Sequence, residues 1–385
     1  MLRATPPADI EVMALVAAPL CAALLSLAAK VVHRRGVLIA AFAAWIAAAS
    51  WSLTSAAGRI FDGHRLLYAT GGWAEPFGIV LELGGVSWVG AATLTLLVTV
   101  VWLVSLGRSE TEPIFFISLS LAGFALTGIL CTRDLFNLCV LFEILSLASL
   151  VLIAYERRPV SRIAALRYLF VSTISIIFFL LGVWILYRRT GTLSFSALEH
   201  VEGITVGFAI TALYAGILTR SAVIPFHTWL PGAHAAAPYP ASALLSGFVV
   251  KAPVFALWHL SEHITSPVLE QMLLPLGLAT AVTGGFFALT ERDGKRILGF
   301  SSVAQMGFIV AAFASGDVLG RTAALLSIVA HSLYKGLLFL TVGDVLHRTG
   351  SRDVEGRRGL HRLYPFHAFL FAVGALGLIG APLFA

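Results

Sequence analysis

The chain has 385 residues, of which 58% are hydrophobic and only 12% are charged. Soluble domains carry about 25% charged residues, so this composition excludes a water-soluble globular fold and predicts an all-α polytopic membrane protein. The net charge of +6 is spread over short loops, which argues against a nucleic-acid surface, and the three cysteines form no disulfide or metal motif.

Twelve apolar segments follow one another along the chain, and each approaches the ~20 residues needed to cross a bilayer. The longest polar interval, 58–85, contains turn residues and predicts a surface loop, while 188–203 predicts a short interfacial helix. We expect the spans at approximately 10–32, 37–57, 86–106, 113–132, 134–154, 164–187, 204–229, 240–263, 268–290, 297–315, 320–346 and 364–385.

The distribution of Lys and Arg predicts the orientation of these spans. The loops after the odd-numbered spans together hold more than twice as many Lys and Arg residues as the opposite side. By the positive-inside rule, the N-terminus lies outside the cell membrane, on the periplasmic side, and the loop 348–362 lies in the cytoplasm.

Five titratable side chains lie near the midpoints of spans, namely Glu143, Arg220, Lys251, His331 and Lys335. A charged group at the centre of a membrane helix costs about 2.5–3.5 kcal/mol, so we expect these groups to face one another or water. Burial disfavours the charged form of glutamate and lysine, and histidine titrates near neutral pH unaided. The pattern predicts a hydrated axis that transfers protons or Na+.

Prolines interrupt the chain between two of these charges. Pro225 and Pro231 predict a broken helix near 220–231. Non-helical backbone at membrane depth is tolerated only where it is buried in protein or lines a wet cavity, and broken helices beside ion sites are typical of transporters. Polar side chains that we expect to support the axis are His227, His234, Ser301, Ser302 and Gln305.

Structural interpretations of the same residues stay open. Glu143 and Arg220 also suit a purely structural ion pair, because arginine stays charged at any depth and carries protons poorly. His227 and His234 are equally suited to bond the ends of helices. No third ligand accompanies the i,i+4 histidines later in the chain, and no flavin or iron–sulfur motif is present, so we assign no metal and no cofactor.

Four motifs resemble, in order, the antiporter-like subunits shared by respiratory complex I (NADH-quinone oxidoreductase), Mrp-type Na+/H+ antiporters and membrane-bound hydrogenases. The resemblance covers about 85–385, and the first motif is more similar to the D-type Mrp and hydrogenase subunits. The motifs are TRDLFNLCVLFEILSL at 132–147, PFHTWLP at 225–231 with SALLSGFVVK at 242–251, DGKRILGFSSVAQMG at 293–307 and HSLYKGLLF at 331–339.

The resemblance implies a three-helix segment at 1–110 and a proton-conducting domain at 111–385. Within that domain it implies two inverted five-helix repeats, about 113–263 and about 268–385, the second truncated relative to the usual fourteen helices. It implies that the chain has no catalytic site of its own and that its partners are other membrane subunits. Carried over position by position, it assigns ion transfer to Glu143, Lys251, His331 and Lys335.

Two departures from the family pattern bear on function. Arg220 stands where the family usually has a lysine, which keeps an ion pair with Glu143 possible but disfavours proton release there. Gly232 stands where an aspartate usually follows the Trp-Leu-Pro motif.

Three functions are consistent with these observations. The first is an ion-translocating subunit of a multisubunit complex. The second is a subunit of a quinone oxidoreductase or hydrogenase complex, in which electron transfer on partner chains drives proton pumping. The third is a non-pumping scaffold, which Arg220 favours. Neighbouring genes for iron–sulfur and flavin subunits would distinguish the second from the first.

Overall fold

The computed structural model describes residues 8–32, 34–73, 75–108, 112–201, 203–264, 267–350, 353 and 359–381. The first residues, part of the loop 348–362 and the last residues of the chain lie outside these ranges, together with the features predicted there.

The described chain is mainly helical. The 3-10 segments relevant to function are Phe226–Thr228 and Val249–Lys251, and two short strands, β1 (Leu66–Ala69) and β2 (Val80–Leu83), pair antiparallel. The helices are α1 Ile10–Val32, α2 Arg35–Phe61, α3 Gly85–Leu106, α4 Pro113–Cys131, α5 Leu135–Ala154, α6 Pro159–Thr190, α7 Ile204–Arg220, α8 Trp229–Ala236, α9 Tyr239–Gly247, α10 Ala252–Ser261, α11 Pro267–Thr290, α12 Gly294–Phe313, α13 Val318–Thr349, α14 Leu360–Leu363 and α15 Pro365–Leu378.

The predicted multi-pass α-helical membrane fold is confirmed. Within the described residues, ten helical segments are long and apolar enough to cross a membrane. The shorter apolar helices α7 and α15 fall on the two remaining predicted spans. The inverted repeats and the division near residue 110 stay predictions.

Both polar intervals contain more regular structure than the sequence predicts. The interval 58–85 holds the β1–β2 hairpin, with Leu66 opposite Leu83. In the interval 188–203, α6 continues to Thr190 and a 3-10 helix follows at Phe195–His200. Four-residue strands have little local signal, because they depend on pairing with a distant partner.

Contacts divide the chain into two compact units. The first comprises Met1–Ser149, Thr173–Ile217 and Ala252–Ser266. The second comprises Leu150–Ser172, Leu218–Lys251 and Pro267–Ala385.

An aromatic cluster forms part of the core of the first unit. The ring of Phe42 stacks on Trp102 with 5.7 Å between centroids and meets Phe116 edge-on at 5.6 Å. Such pairs add about 0.5–1.5 kcal/mol beyond the burial of their area. They hold α2, α3 and α4 together.

An ion network around Arg133 closes one end of the first unit. Its guanidinium bonds both carboxylate oxygens of Glu82 on β2 and lies 3.4 Å from Oε2 of Glu262. Arg65 Nη1 bonds the same two carboxylates at 3.0 and 3.2 Å. Partial burial lowers the pKa of Arg65, but these two carboxylates outweigh that effect and raise it above its ordinary value. The network joins the hairpin to the segments after α4 and α10.

In the second unit, α11 and α12 pack with their backbones in direct contact. A Cβ added to Gly284 would lie 2.4 Å from the backbone nitrogen of Ala304, and one added to Gly307 would lie 2.3 Å from that of Ala281. Small residues are the usual means by which membrane helices approach this closely. This contact fixes the position of α12.

Adjacent glycines on α11 test this packing. We expect Gly284→Ala to destabilise the protein by about 1–3 kcal/mol, because the new methyl group overlaps the α12 backbone. Gly285→Ala is the matched control, since a Cβ there meets nothing within 4 Å. Thermal unfolding in detergent measures both variants, and equal melting temperatures would contradict the close packing.

Candidate ion-translocation site

The first helix break begins at Arg220, as predicted. Helix α7 ends there, Ala222 takes a left-handed conformation with φ of 55°, and the 3-10 turn leads into α8. Pro225 precedes the 3-10 turn, and Pro231 lies in the first turn of α8, where a missing N–H costs no helical bond. Arg220 is buried, and its Nη2 lies 3.4 Å from the carbonyl oxygen of Ser172.

A second break occurs at Lys251, inside a span that the sequence predicts as continuous. Helix α9 ends at Gly247, and a 3-10 turn ending at Lys251 leads into α10. The end of a helix leaves carbonyls without backbone partners. Lys251 Nζ donates to two of them, the carbonyl oxygens of Ser246 and, at 2.8 Å, Gly247. The predicted eighth span is present at Tyr239–Ser261, and the break inside it supplies the acceptors for the buried amine.

Lys335 is fully buried on α13 and is directed at α12. Its Nζ donates to the carbonyl oxygen of Leu298 at 3.0 Å and to Oγ of Ser301. Ser301 was predicted only as part of a polar axis, and the structure makes it a direct partner of this lysine.

Two serines connect the surroundings of the two lysines. Ser246 Oγ lies 2.8 Å from Ser302 Oγ, and Ser302 Oγ donates to the Leu298 carbonyl at 2.8 Å. Ser246 also accepts the Lys251 bond through its carbonyl, and Leu298 accepts the Lys335 bond. The surroundings of the two lysines are therefore linked by hydrogen bonds that meet at Ser246, through its carbonyl and its hydroxyl, and at the Leu298 carbonyl.

Lys295 is a third buried lysine, which the sequence interpretation counted as a loop cation. Asp293 caps α12 by accepting from the backbone N–H groups of Lys295 and Arg296, so the helix begins earlier than the predicted 297. The Lys295 amine donates to the carbonyl oxygen of Ala237, where α8 ends. An aspartate at the N-cap is a signal that the sequence contains. A helix that begins there carries Lys295, Leu298 and Ser302 on one face, because they are spaced i, i+3 and i+7.

His234 and His331 are completely buried in the same unit. Among the described residues, neither ring nitrogen of either histidine has a hydrogen-bond partner. Both rings lie within electrostatic reach of Lys251 and Lys335. Buried polar atoms nearly always have a partner, so the two imidazoles are unusual among the buried groups of the described residues.

The charge of this cluster is unbalanced. The buried side chains of the described residues include three lysines but no aspartate or glutamate. The described partners of Lys251 and Lys335 are carbonyl and hydroxyl oxygens, which stabilise an ammonium less than a carboxylate does. Gain or loss of a proton is therefore less strongly opposed here than in a buried ion pair.

The remaining predicted residues lie outside this set of hydrogen bonds. Glu143 is half-buried on α5 in the first unit, and its pairing with Arg220 stays a prediction. His227 lies in the 3-10 turn with its ring 6.3 Å from that of Phe287. Gln305 Nε2 donates to the carbonyl of Leu378 at 3.3 Å, which ties α12 to the end of α15.

Comparison with known proteins places residues 132–385 in a family described as NADH:quinone oxidoreductase/Mrp antiporter, transmembrane. NADH-quinone oxidoreductase subunit N of Desulforudis audaxviator is 35% identical over 368 residues, which cover 90% of this chain and 72% of that protein. The putative antiporter subunit mnhD2 of Staphylococcus saprophyticus is 29% identical over 327 residues, which cover 82% of this chain and 65% of that protein.

A solved structure shows the same fold. It is that of the membrane-bound sulfane sulfur reductase, an archaeal respiratory membrane complex. The matching chain has a TM-score of 0.90 and 25% sequence identity, and the match covers 97% of this chain and 79% of that one.

The pair of Ser246 and Ser302 allows a direct test of the connection between α9 and α12. We expect Ser302→Ala to destabilise the protein by about 1–3 kcal/mol, because it leaves the Ser246 hydroxyl buried without this partner. Ser332→Ala is the matched control, because its buried hydroxyl bonds only the carbonyl of Ile328 on its own helix. A double-mutant cycle with Ser246→Ala should give a coupling of at least about 0.5 kcal/mol, and strict additivity would refute the bond.

Proposed function

Because the chain belongs to the NADH:quinone oxidoreductase/Mrp antiporter transmembrane family, we propose that it is an ion-translocating subunit of a multisubunit membrane complex. The ion is the proton, either alone or exchanged for Na+. The observation that carries this proposal is the hydrogen-bonded connection between the buried amines of Lys251 and Lys335 through Ser246, Ser302 and the Leu298 carbonyl.

The chemistry of these groups suits stepwise proton transfer. An ammonium that gives up a proton becomes an amine with a free lone pair, and a serine hydroxyl can accept one proton while donating another. The carbonyls of Ser246 and Leu298 only accept, so they orient Lys251, Lys335 and Ser302 without passing a proton between them. His331 lies one helical turn before Lys335, and its imidazole is able to take the proton that the Lys335 ammonium gives up.

Electrostatic coupling gives the transfer a driving force. Lys251 lies within reach of the charge on Lys335, so a proton arriving at one lysine disfavours a proton on the other. A charge change at one end of the cluster is thereby transmitted to the other end. Neighbouring subunits would start this sequence, either by electron transfer, as in a quinone oxidoreductase, or by ion binding, as in an antiporter.

We further propose that the N-terminus faces outward and that the loop 348–362 is cytoplasmic, because Lys and Arg concentrate on that side. Helix α13 would then run from an outer end near Asp317 to an inner end near Arg348. Hydrogen bonds from the Gly320 backbone and the Ser315 side chain lower the pKa of Asp317 and keep this cap charged at the water-facing end.

Ion transport by the reconstituted complex tests the proposed function. We expect Lys251→Met, Lys335→Met and Glu143→Gln each to lower proton flux at least ~10-fold, because each removes a proton-exchanging group. Lys30→Met, at an exposed lysine near the end of α1, is the matched control. Flux is followed with a pH-sensitive dye in vesicles with and without Na+, which separates proton transport from exchange.

Undiminished flux in both lysine variants would refute the proposal. The scaffold alternative makes a different prediction, namely that the parent complex has no ion flux and that Arg220→Lys restores none.

The orientation is tested by labelling cysteines at the two ends of α13. In a Cys21→Ser background, we expect a membrane-impermeant maleimide to label Ser315→Cys in intact cells, because this exposed site precedes the outer end. His361→Cys, which is exposed beyond the other end, should react only after the cells are opened. The reverse pattern would contradict the orientation.

A further inference from the structure

Asp344, near the end of α13, is the centre of a second polar cluster in this unit. One carboxylate oxygen accepts from Tyr239 Oη on α9 at 3.0 Å. The other accepts from Arg348 Nε at 2.7 Å and lies 2.9 Å from His367 Nε2 on α15. A single carboxylate therefore bonds side chains from three helices.

The cluster lies where exposed and buried surroundings meet. The side chains of Asp344 and His367 are 17% and 24% exposed. Tyr239, in contrast, is buried. A cleft of about 450 Å³ borders His367, and most of its lining side chains are apolar, among them Val345 and Phe371. His367 and Asp344 form the partly exposed side of the cluster, while the phenol forms its buried side.

Tyr239 begins a polar face that leads to the lysines. Tyr239, Ser242 and Ser246 are spaced i, i+3 and i+7 on α9, so they share one side of the helix. Ser242 Oγ donates to the His234 carbonyl at 2.9 Å. Ser246 bonds Ser302, as described above. Tyr239 therefore lies on the same face of α9 as Ser246, whose carbonyl accepts from Lys251.

The approach of Tyr239 to α13 requires a residue without a side chain. A Cβ on Gly343, the neighbour of Asp344, would lie 2.2 Å from Tyr239 Cβ. The backbone thus admits the tyrosine next to the carboxylate.

We propose that Asp344, His367 and Tyr239 form the site at which a proton is loaded from water into the second unit. This inference rests on the proposed function and adds an entrance to it. A proton from water binds Nδ1 of His367, and the resulting imidazolium keeps its Nε2 proton in the hydrogen bond to the Asp344 carboxylate. The carboxylate stays ionised against Arg348, so one proton is stored as the imidazolium beside it.

The other titratable and charged groups facing this site define its electrostatics. Arg348 holds a permanent positive charge against the carboxylate. The His347 ring lies 6.2 Å from the Tyr239 ring, and the Tyr364 ring lies 5.8 Å from the His367 ring. Arg348 is a positioning residue here, because it fixes the carboxylate and does not exchange protons.

Transport measurements on the whole complex test the loading site. We expect Asp344→Asn to lower proton flux at least ~10-fold and Asp344→Glu to retain most of it. His367→Gln should change the dependence of flux on pH, because glutamine can neither gain nor lose a proton there. Asp317→Asn, at the opposite end of α13, is the control aspartate.

A purely structural clamp would give a different result. Formate should restore flux several-fold in Asp344→Ala if the Asp344 carboxylate holds the loaded proton on His367, because formate replaces that carboxylate. Normal flux in Asp344→Asn would overturn the proposal. The proposal would also be overturned by a combination of three results. These are a lowered flux in Asp344→Asn that accompanies a lower melting temperature, an unchanged pH profile of flux in His367→Gln, and no rescue by formate.

The lysine variants separate this inference from the function on which it rests. Flux that is lost in Lys251→Met and Lys335→Met but normal in Asp344→Asn overturns the loading site alone. Flux that is retained in the lysine variants overturns the proposed function.

Discussion

A buried ammonium needs hydrogen-bond acceptors, and in the second unit the backbone supplies most of them. Lys251 uses two carbonyls at the end of α9, and Lys295 uses the carbonyl at the end of α8. Lys335 shares the Leu298 carbonyl with Ser302. An unpaired charge at membrane depth costs several kcal/mol, so the broken helices are a condition for burying these lysines. The breaks and the charges therefore have to be understood together.

The hydrogen bonds of the buried lysines depend most strongly on the position of helix α12. One of its sides carries Lys295, Leu298 and Ser302, which contact α8, α9 and α13. Its opposite side carries Ala304 and Gly307, whose backbones touch α11. A displacement of α12 by a fraction of an ångström would lengthen several bonds at once. Small residues on one side thus determine the hydrogen bonding on the other.

The sequence predicted the membrane spans, the first helix break and the buried lysines on α13 and before α10, because apolar length, proline and misplaced charge are local signals. It missed Lys295 because a helix boundary placed only a few residues late made a buried cation look like part of a loop. The break at Lys251 was missed although Gly247 and Pro253 flank it, since the apolar run continues through it. Asp344 and the β1–β2 hairpin depend on contacts between distant residues, which no local pattern contains.

Ser246 takes part in two bonds of different kinds, through its carbonyl to Lys251 and through its hydroxyl to Ser302. The first bond lies within one chain segment, and the second joins two separate helices. A rotation of α9 about its own axis would therefore change the acceptor of the lysine and the contact with α12 in the same movement. The position of α9 and the acceptors of the Lys251 amine are linked at this one residue, so a movement of the helices packed around the buried α9 would change the bonds of the lysine without contacting it.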